Sequence, residues 1–292
     1  MLQLTELNRR ASAALSFPPA SGFNLEGAAD GAIAQLREKR SELAQHDWWS
    51  RWCVNLDRLI YSDDVEYLDR PDFPDQDKLA LIQRLHRFNR ALLSYHRFLL
   101  YLRPHILRLA KKNGRPVRAL ELASGSGELA LELSRLATKR GLPVEVTGSD
   151  IVPTYVRDAN LRARKRGLDT EFIELNAFDM AHLDGRYDLI FITQSIHHFT
   201  PGQLAMMIAQ SEAAGASDFI GIDGRRGFFL LSVLPVASLA MRDRYFWHDA
   251  TLSARRMYSN PELELIANIA APEASVRFRH AVPGFTVLSI GY

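Results

Sequence analysis

The chain has 292 residues, 47% of them hydrophobic and 24% charged, with a net charge of +2. That balance suits a globular protein of one large domain, or one domain with a smaller companion. A charge so near neutral argues against nucleic acid as the main partner.

A single cysteine, Cys53, excludes a disulfide framework and a cysteine-rich zinc site within the chain. No metal site is read from the sequence. A reducing cytoplasm is the expected compartment. The opening stretch "MLQLTELNRRASAALSFPP" lacks the apolar core of a signal peptide. The longest apolar run, residues 227–241, is too short for a membrane span and contains Pro235. It reads either as core or as an apolar lid.

Residues 1 to about 112 contain no strand-like run. Apolar spacing predicts helices over Leu2–Ser16 and Ala28–Gln45. Trp48, Trp49 and Trp52 fall together, as packing or an interface rather than a ligand cage. After the proline-broken "RPDFPD" a long helix is expected, kinked or broken at Pro104 and ended by Asn113-Gly114. This half, 1–112, reads as an all-helical, substrate-covering cap.

From 113 to 292 the pattern changes to alternating strands and helices. Strands are expected over Val117–Leu122, Val144–Ser149, Glu171–Leu175, Asp188–Thr193 and Asp218–Asp223. Helices are expected over Glu128–Arg140, Pro153–Arg166, Gly202–Ala214 and Asn260–Ala270, the last capped by Asn260 with Pro261 at its first position. The basic run Arg162–Arg166 reads as a solvated helix end. "ASVRFRHAV" and "FTVLSIGY" are joined only by Pro283-Gly284, so they must run antiparallel. The fold class is therefore α/β: a doubly wound, mostly parallel sheet of seven strands with an antiparallel last strand, plus the N-terminal helical cap.

The stretch "ALELASGSGELALEL", residues 119–133, is strand, glycine loop and helix. That arrangement cradles nucleotide-like cofactors, either a nicotinamide dinucleotide or S-adenosylmethionine (SAM). Three features favour SAM. Glu121 puts a carboxylate inside a strand that a dinucleotide fold keeps apolar, and SAM carries a cation where a dinucleotide carries a pyrophosphate. The loop has Gly125 and Gly127 but Ala130 at the third glycine position, and Glu128 occupies the helix start where a pyrophosphate docks. The reversed last strand belongs to neither half of the dinucleotide fold. Asp150 closes the second strand, where an acid binds a ribose diol in either cofactor; a helix-capping role is the alternative.

Residues 117–292 resemble a class I SAM-dependent methyltransferase of the small-molecule type, similar to quinone-biosynthesis and related bacterial enzymes. "ALELASGSG" resembles the family's first motif, with Ala123 in place of the usual first glycine. "GSDIVPTYV" resembles the second, with Asp150 as the ribose acid. "LNAFDM" resembles the third, with Asn176 where an acid usually holds the adenine. "YDLIFITQSIHHFTPGQL" resembles the fourth. The resemblance implies SAM as cofactor, bound by Glu121, Ala123, Ser124, Gly125, Gly127, Asp150, Ile151, Asn176, Ala177, Gln194 and His198.

The expected reaction is in-line methyl transfer to a small, aromatic or apolar acceptor, with oxygen favoured as the methylated atom. The Asp/Asn-Pro-Pro-aromatic clamp of DNA amino-methyltransferases is absent; that place reads Gln194-Ser195-Ile196-His197-His198-Phe199. Carbon-5 methylation of RNA needs a cysteine beside the sheet, and Cys53 lies in the cap. His197 and His198 follow the fourth strand and are candidate bases; pocket shaping is their other reading. His248-Asp249 is a second candidate for an oriented base. Asp223, Arg226, Arg255, Tyr258 and His96 are candidate substrate contacts, against a plainer role as surface charges. A homodimer through the helical N-terminus is the expected partner, with no membrane span. The rival functions are a catalytically inactive methyltransferase-like binding module and an NAD(P)-dependent reductase.

Overall fold

A computed structural model describes residues 2–14, 24–62, 64–282 and 284–292. Leu15 and Ser16, which end the first expected helix, lie outside the described residues, as do Pro18, Pro19 and the proline of the Pro283-Gly284 turn.

The first helices are α1 (Leu2–Ala13), α2 (Leu25–Leu43), α3 (Trp48–Ile60), α4 (Asp75–Ala91) and α5 (Ser94–Asn113). Short polar residues start two of them: the Asn24 side chain accepts the Gly27 N–H, and Asp47 accepts those of Trp49 and Ser50. The long helix expected before Asn113 is broken, but not at Pro104, which sits inside α5. The break is at Leu93, which holds a left-handed φ of 55° between α4 and α5. Gly114 closes α5 as expected.

Strands and helices then alternate: β1 (Val117–Leu122), α6 (Glu128–Arg140), β2 (Val144–Asp150), α7 (Pro153–Lys165), β3 (Glu171–Glu174), β4 (Leu189–Thr193), α8 (Pro201–Ala213) and β5 (Asp218–Gly224). Three helices follow, α9 (Phe228–Leu239), α10 (Arg244–Arg256) and α11 (Asn260–Ala270), and then β6 (Ser275–Ala281) and β7 (Phe285–Gly291). The apolar run around Pro235 is thus helical, and α10 is a helix that the sequence did not announce. The α11 cap lies one residue earlier than expected. Ser259 and Glu262 form a reciprocal capping box, and Asn260 is already helical.

The sheet has seven strands in the order β3-β2-β1-β4-β5-β7-β6. β1 pairs in parallel with both β2 and β4, and β4 with β5. The last strand runs antiparallel, as the short turn requires. Strand order reverses between β1 and β4, which opens a crevice at their carboxyl ends, the place where such sheets bind ligands.

The chain forms two compact units. The first comprises residues 1–69, 196–209 and 223–288, and the second residues 70–195, 210–222 and 289–292. In the second, Leu120, Leu122, Leu189, Ile190, Phe191 and Phe219 are fully buried, as a sheet covered on both faces demands. In the first, Cys53 is buried with Leu7, Ala44 and Val54. Among the described residues, no helix is long and apolar enough to cross a membrane.

The glycine loop carries local strain. Gly127 has φ 74°, and a Cβ there would strike the Phe172 ring and Ala159. Ala123 adopts φ 50° without being glycine, a conformation that costs an L-residue about 1–2 kcal/mol. Ala123→Gly should therefore raise the unfolding free energy by about 1 kcal/mol in urea denaturation, the relief outweighing the extra chain entropy. A loss of stability would contradict this.

Candidate active site

In the second unit, every expected cofactor residue except His198 falls at the carboxyl ends of β1 to β4. Ala123, Ser124, Gly125 and Gly127 follow β1; Asp150 ends β2 and Ile151 follows it; Asn176 and Ala177 follow β3; Gln194 follows β4. The loop is pinned by short bonds. The Gly125 N–H donates to Asp150 Oδ2 at 2.8 Å, the Ser124 N–H to the Ser149 carbonyl at 2.8 Å, and the Gly127 N–H to the Ser124 carbonyl at 2.9 Å. The Val152 N–H donates to the other Asp150 oxygen at 3.0 Å. Asp150 thus ties the β2 end to the loop and also caps the turn into α7, in line with its capping reading. Asn176 accepts the Phe178 N–H at 3.0 Å, and Ile151 lies 65% exposed, an apolar surface suited to a flat ring.

Glu121 is the unusual group. It is buried and accepts bonds from the Ala130 N–H and the Thr193 hydroxyl. Its Oε2 has no partner among the described residues. Burial pushes its carboxyl up to about 8, and the Asp150 charge adds to the rise. An orphaned buried carboxylate oxygen under a glycine loop fits a cationic ligand such as SAM.

Helices α4 and α5 close over this loop within the same unit. His86 lies 2.5 Å through Nδ1 from the Tyr95 hydroxyl and 2.8 Å through Nε2 from Ser126 Oγ. Burial, reinforced by nearby Arg162, Arg90 and Arg166, drives its pKa down to about 3, so the ring is neutral and couples the helices to the loop. Asn89 and Gln194 exchange two amide hydrogen bonds, of 2.7 and 3.2 Å, and this holds Gln194 in a left-handed φ of 54°. His96 is half-buried, within electrostatic reach of Glu132. Glu128 is buried and paired with Arg90, Arg162 and Arg166. The basic run at the end of α7 is therefore an ion-pair partner of the loop helix, not only a solvated end.

The remaining expected residues lie in the first unit. His197 and His198 sit in a turn of 3-10 helix, Ile196–His198. The Asp223 carboxylate lies 2.8 Å from His197 Nδ1 and also accepts the His197 backbone N–H. Asp69 lies 2.8 Å from His198 Nδ1. Burial disfavours charge on His198, but Glu66, Asp69 and Asp223 outweigh it and raise its pKa to about 9. His248 has its Nδ1 3.0 Å from Asp249, whose carboxylate accepts the Tyr67 and Leu68 N–H groups. Arg226 Nε donates to the Met257 carbonyl, Arg255 Nε to that of Ile60, and the Tyr258 hydroxyl to that of Phe199. Arg226 also lines a cavity of about 460 Å³ with Arg37, Arg40, Asp57, Arg58 and Tyr61. Glu66, Asp69 and His86 were not singled out from the sequence. Only their fold neighbours mark them, since Glu66 is 131 positions from His197.

Residues 119–215 match the model of a methyltransferase domain. A demethylmenaquinone methyltransferase of Thermus thermophilus is 34% identical over 91 residues, covering 31% of this chain and 40% of its own. A release factor glutamine methyltransferase of Haemophilus influenzae is 35% identical over 77 residues, covering 25% and 26%. The chain thus spans less than half the length of these curated relatives. The structure of the plantazolicin methyltransferase BpumL in complex with SAH superposes with a TM-score of 0.56 at 15% identity, covering 81% of this chain and 96% of that one. That likeness shows the fold.

Because folding raises the Glu121 pKa from 4.5 to about 8, the protonated acid is the form that folding favours. The stability it lends is fully present below pH 4.5 and is lost as pH rises through 8. In thermal melts of the protein without SAM, Glu121→Gln should therefore gain stability over wild type as pH rises from 5 to 9. A pH-independent difference would count against the assignment.

Proposed function

We propose that this chain is a class I SAM-dependent methyltransferase that methylates an oxygen of a small, apolar or aromatic acceptor by in-line displacement. The observation that carries the cofactor half of the reading is the orphaned carboxylate of Glu121 beneath the glycine loop. SAM, when bound, supplies a methyl group already activated by its sulfonium centre.

The chain's own residues position the reactants. Glu121 offers its carboxylate to the cofactor's cationic end. Asp150 meets the ribose diol with the lone pairs left beside its two backbone bonds. Ile151, Asn176 and Ala177 border the adenine, and the loop residues Ala123 to Gly127 bring the backbone close. Gln194, locked by Asn89, borders the same crevice.

His248 is the proposed general base. Asp249 is buried and fixed by two backbone N–H groups, so it sets the tautomer of a ring that is one-third exposed. This leaves Nε2 to take the acceptor proton. Arg226 is the proposed contact for an acidic or phenolic group, since its Nη2 lacks a partner among the described residues. The apolar character of the acceptor rests on α9, where Phe229, Val233, Val236 and Leu239 are all exposed. The Thermus relative, whose name carries demethylmenaquinone, agrees with that class. A second copy of the chain is the proposed partner. On α3, Trp48, Trp49, Trp52 and Leu59 are exposed, and the Trp49 and Trp52 rings stack at 4.9 Å.

Calorimetry should give binding of SAM and SAH and none of NADH, with Asp150→Ala weakening both by roughly 10–100-fold. Binding of NADH without SAM would overturn the reading. With an acceptor in hand, His248→Gln should lower kcat by roughly 100-fold or more while leaving the KM for SAM in place. An unchanged kcat would remove His248 from the role.

A further inference from the structure

In the first unit, three side chains from distant parts of the sequence converge. Glu66, His197 and His198 each offer one ligand atom, and those atoms all lie within 4.8 Å of one another. His197 Nε2 stands 3.8 Å from Glu66 Oε1, and His198 Nε2 stands 3.8 Å from Glu66 Oε2. Glu66 is 1% exposed and His197 6%.

The two rings are oriented alike. Each turns Nδ1 to a carboxylate at 2.8 Å, His197 to Asp223 and His198 to Asp69. A carboxylate at Nδ1 fixes the N–H there and leaves the Nε2 lone pair free, the arrangement that orients metal-binding histidines. Asp223 is itself fixed by the Gly224 N–H at 2.7 Å and the His197 N–H at 3.0 Å. His197 Nε2 is buried with no hydrogen-bond partner among the described residues, and it points at the Glu66 carboxylate.

The charges agree. Glu66, Asp69 and Asp223 bring three negative charges. Among the described residues, the arginine paired with them is Arg256, whose Nη1 lies 3.6 Å from Asp69 and 4.0 Å from Glu66. Ser253 donates to Glu66 Oε1 at 3.0 Å. A ligating ring must give up any proton on its Nε2, and with both rings neutral in that way the three carboxylates and Arg256 sum to two negative charges, which one divalent cation balances.

We propose that Glu66, His197 and His198 form a mononuclear site for a divalent first-row transition metal of the Zn²⁺, Mn²⁺ or Fe²⁺ kind. Two imidazole nitrogens and one carboxylate are the donor set such ions take. Ligands about 2.1 Å from a shared ion stand roughly 3.0–3.4 Å apart, so a set whose atoms lie within 4.8 Å of one another closes on an ion by side-chain movements of up to about an ångström. Three protein ligands leave open positions for water or another oxygen ligand.

The test is metal binding by the full chain after dialysis against a chelator, read by calorimetry with Zn²⁺ and Mn²⁺ and by elemental analysis. One ion per chain at micromolar or tighter affinity is expected. Glu66→Gln and His198→Gln, each checked for a native circular dichroism spectrum, should weaken it at least tenfold. His182→Gln, exposed in a 3-10 turn of the second unit, should not. As a second readout, the Co²⁺-loaded wild type should show visible absorption that both ligand variants lose. No uptake by wild type, or uptake that survives both substitutions, would overturn the site, whatever the outcome with SAM.

Discussion

A carboxylate buried without full compensation is the constraint around which the second unit is organised. Glu121 sits inside a strand whose neighbours on both sides are themselves covered. An ionised group in such a place is costly unless it is paired. Two hydrogen bonds reach it, and they do not offset the burial. With its pKa raised to about 8, the group avoids that cost by keeping its proton, and in the proposed function the cation of a bound ligand balances the ionised form. The surroundings hold the carboxylate in place. Asp150 pins the glycine loop above it, neutral His86 clamps the loop to α4 and α5, and the arginines on Glu128 fix the helix that the loop opens.

The first unit handles charge in a different way. Its buried acids come with fixed cations or oriented histidines. Glu262 completes the α11 capping box and is held at about 2 because Arg226 and Arg37 outweigh its burial. Asp249 is satisfied by backbone. The Glu66, Asp69 and Asp223 group is left with more negative charge than its fixed arginine covers. Its histidines turn free nitrogens toward the shared Glu66 carboxylate instead of toward solvent.

Much of this was legible in the sequence because it is local. Strand β1, the glycine loop and the capped helices announce themselves by apolar runs, Gly125 and Gly127, Pro153, Gly141 and Gly114. The Pro283-Gly284 spacing alone forces the last hairpin. The proposed cofactor residues other than His198 are local in the same way, since they sit at the ends of β1 to β4. What could not be read depends on long-range contact. Glu66 and Asp69 lie in an unremarkable stretch, "DDVEYLD", and acquire meaning only when the fold brings them to His197 and His198. Pro104 does not break the helix and lies inside α5, whereas Leu93 breaks the chain with no sequence signal. The tryptophans of α3 read as packing or an interface, and their exposure rules out only the core half of that reading.

The central claim is that Glu121 is protonated in the free protein and becomes ionised against a bound cation. Its pKa of about 8 means that SAM binding at pH 7 must expel most of a proton. Calorimetric titration of SAM in buffers of different ionisation enthalpy measures that directly. The account predicts release of close to one proton per SAM for wild type and none for Glu121→Gln. SAM binding with no proton release, or with equal release in the variant, would contradict it.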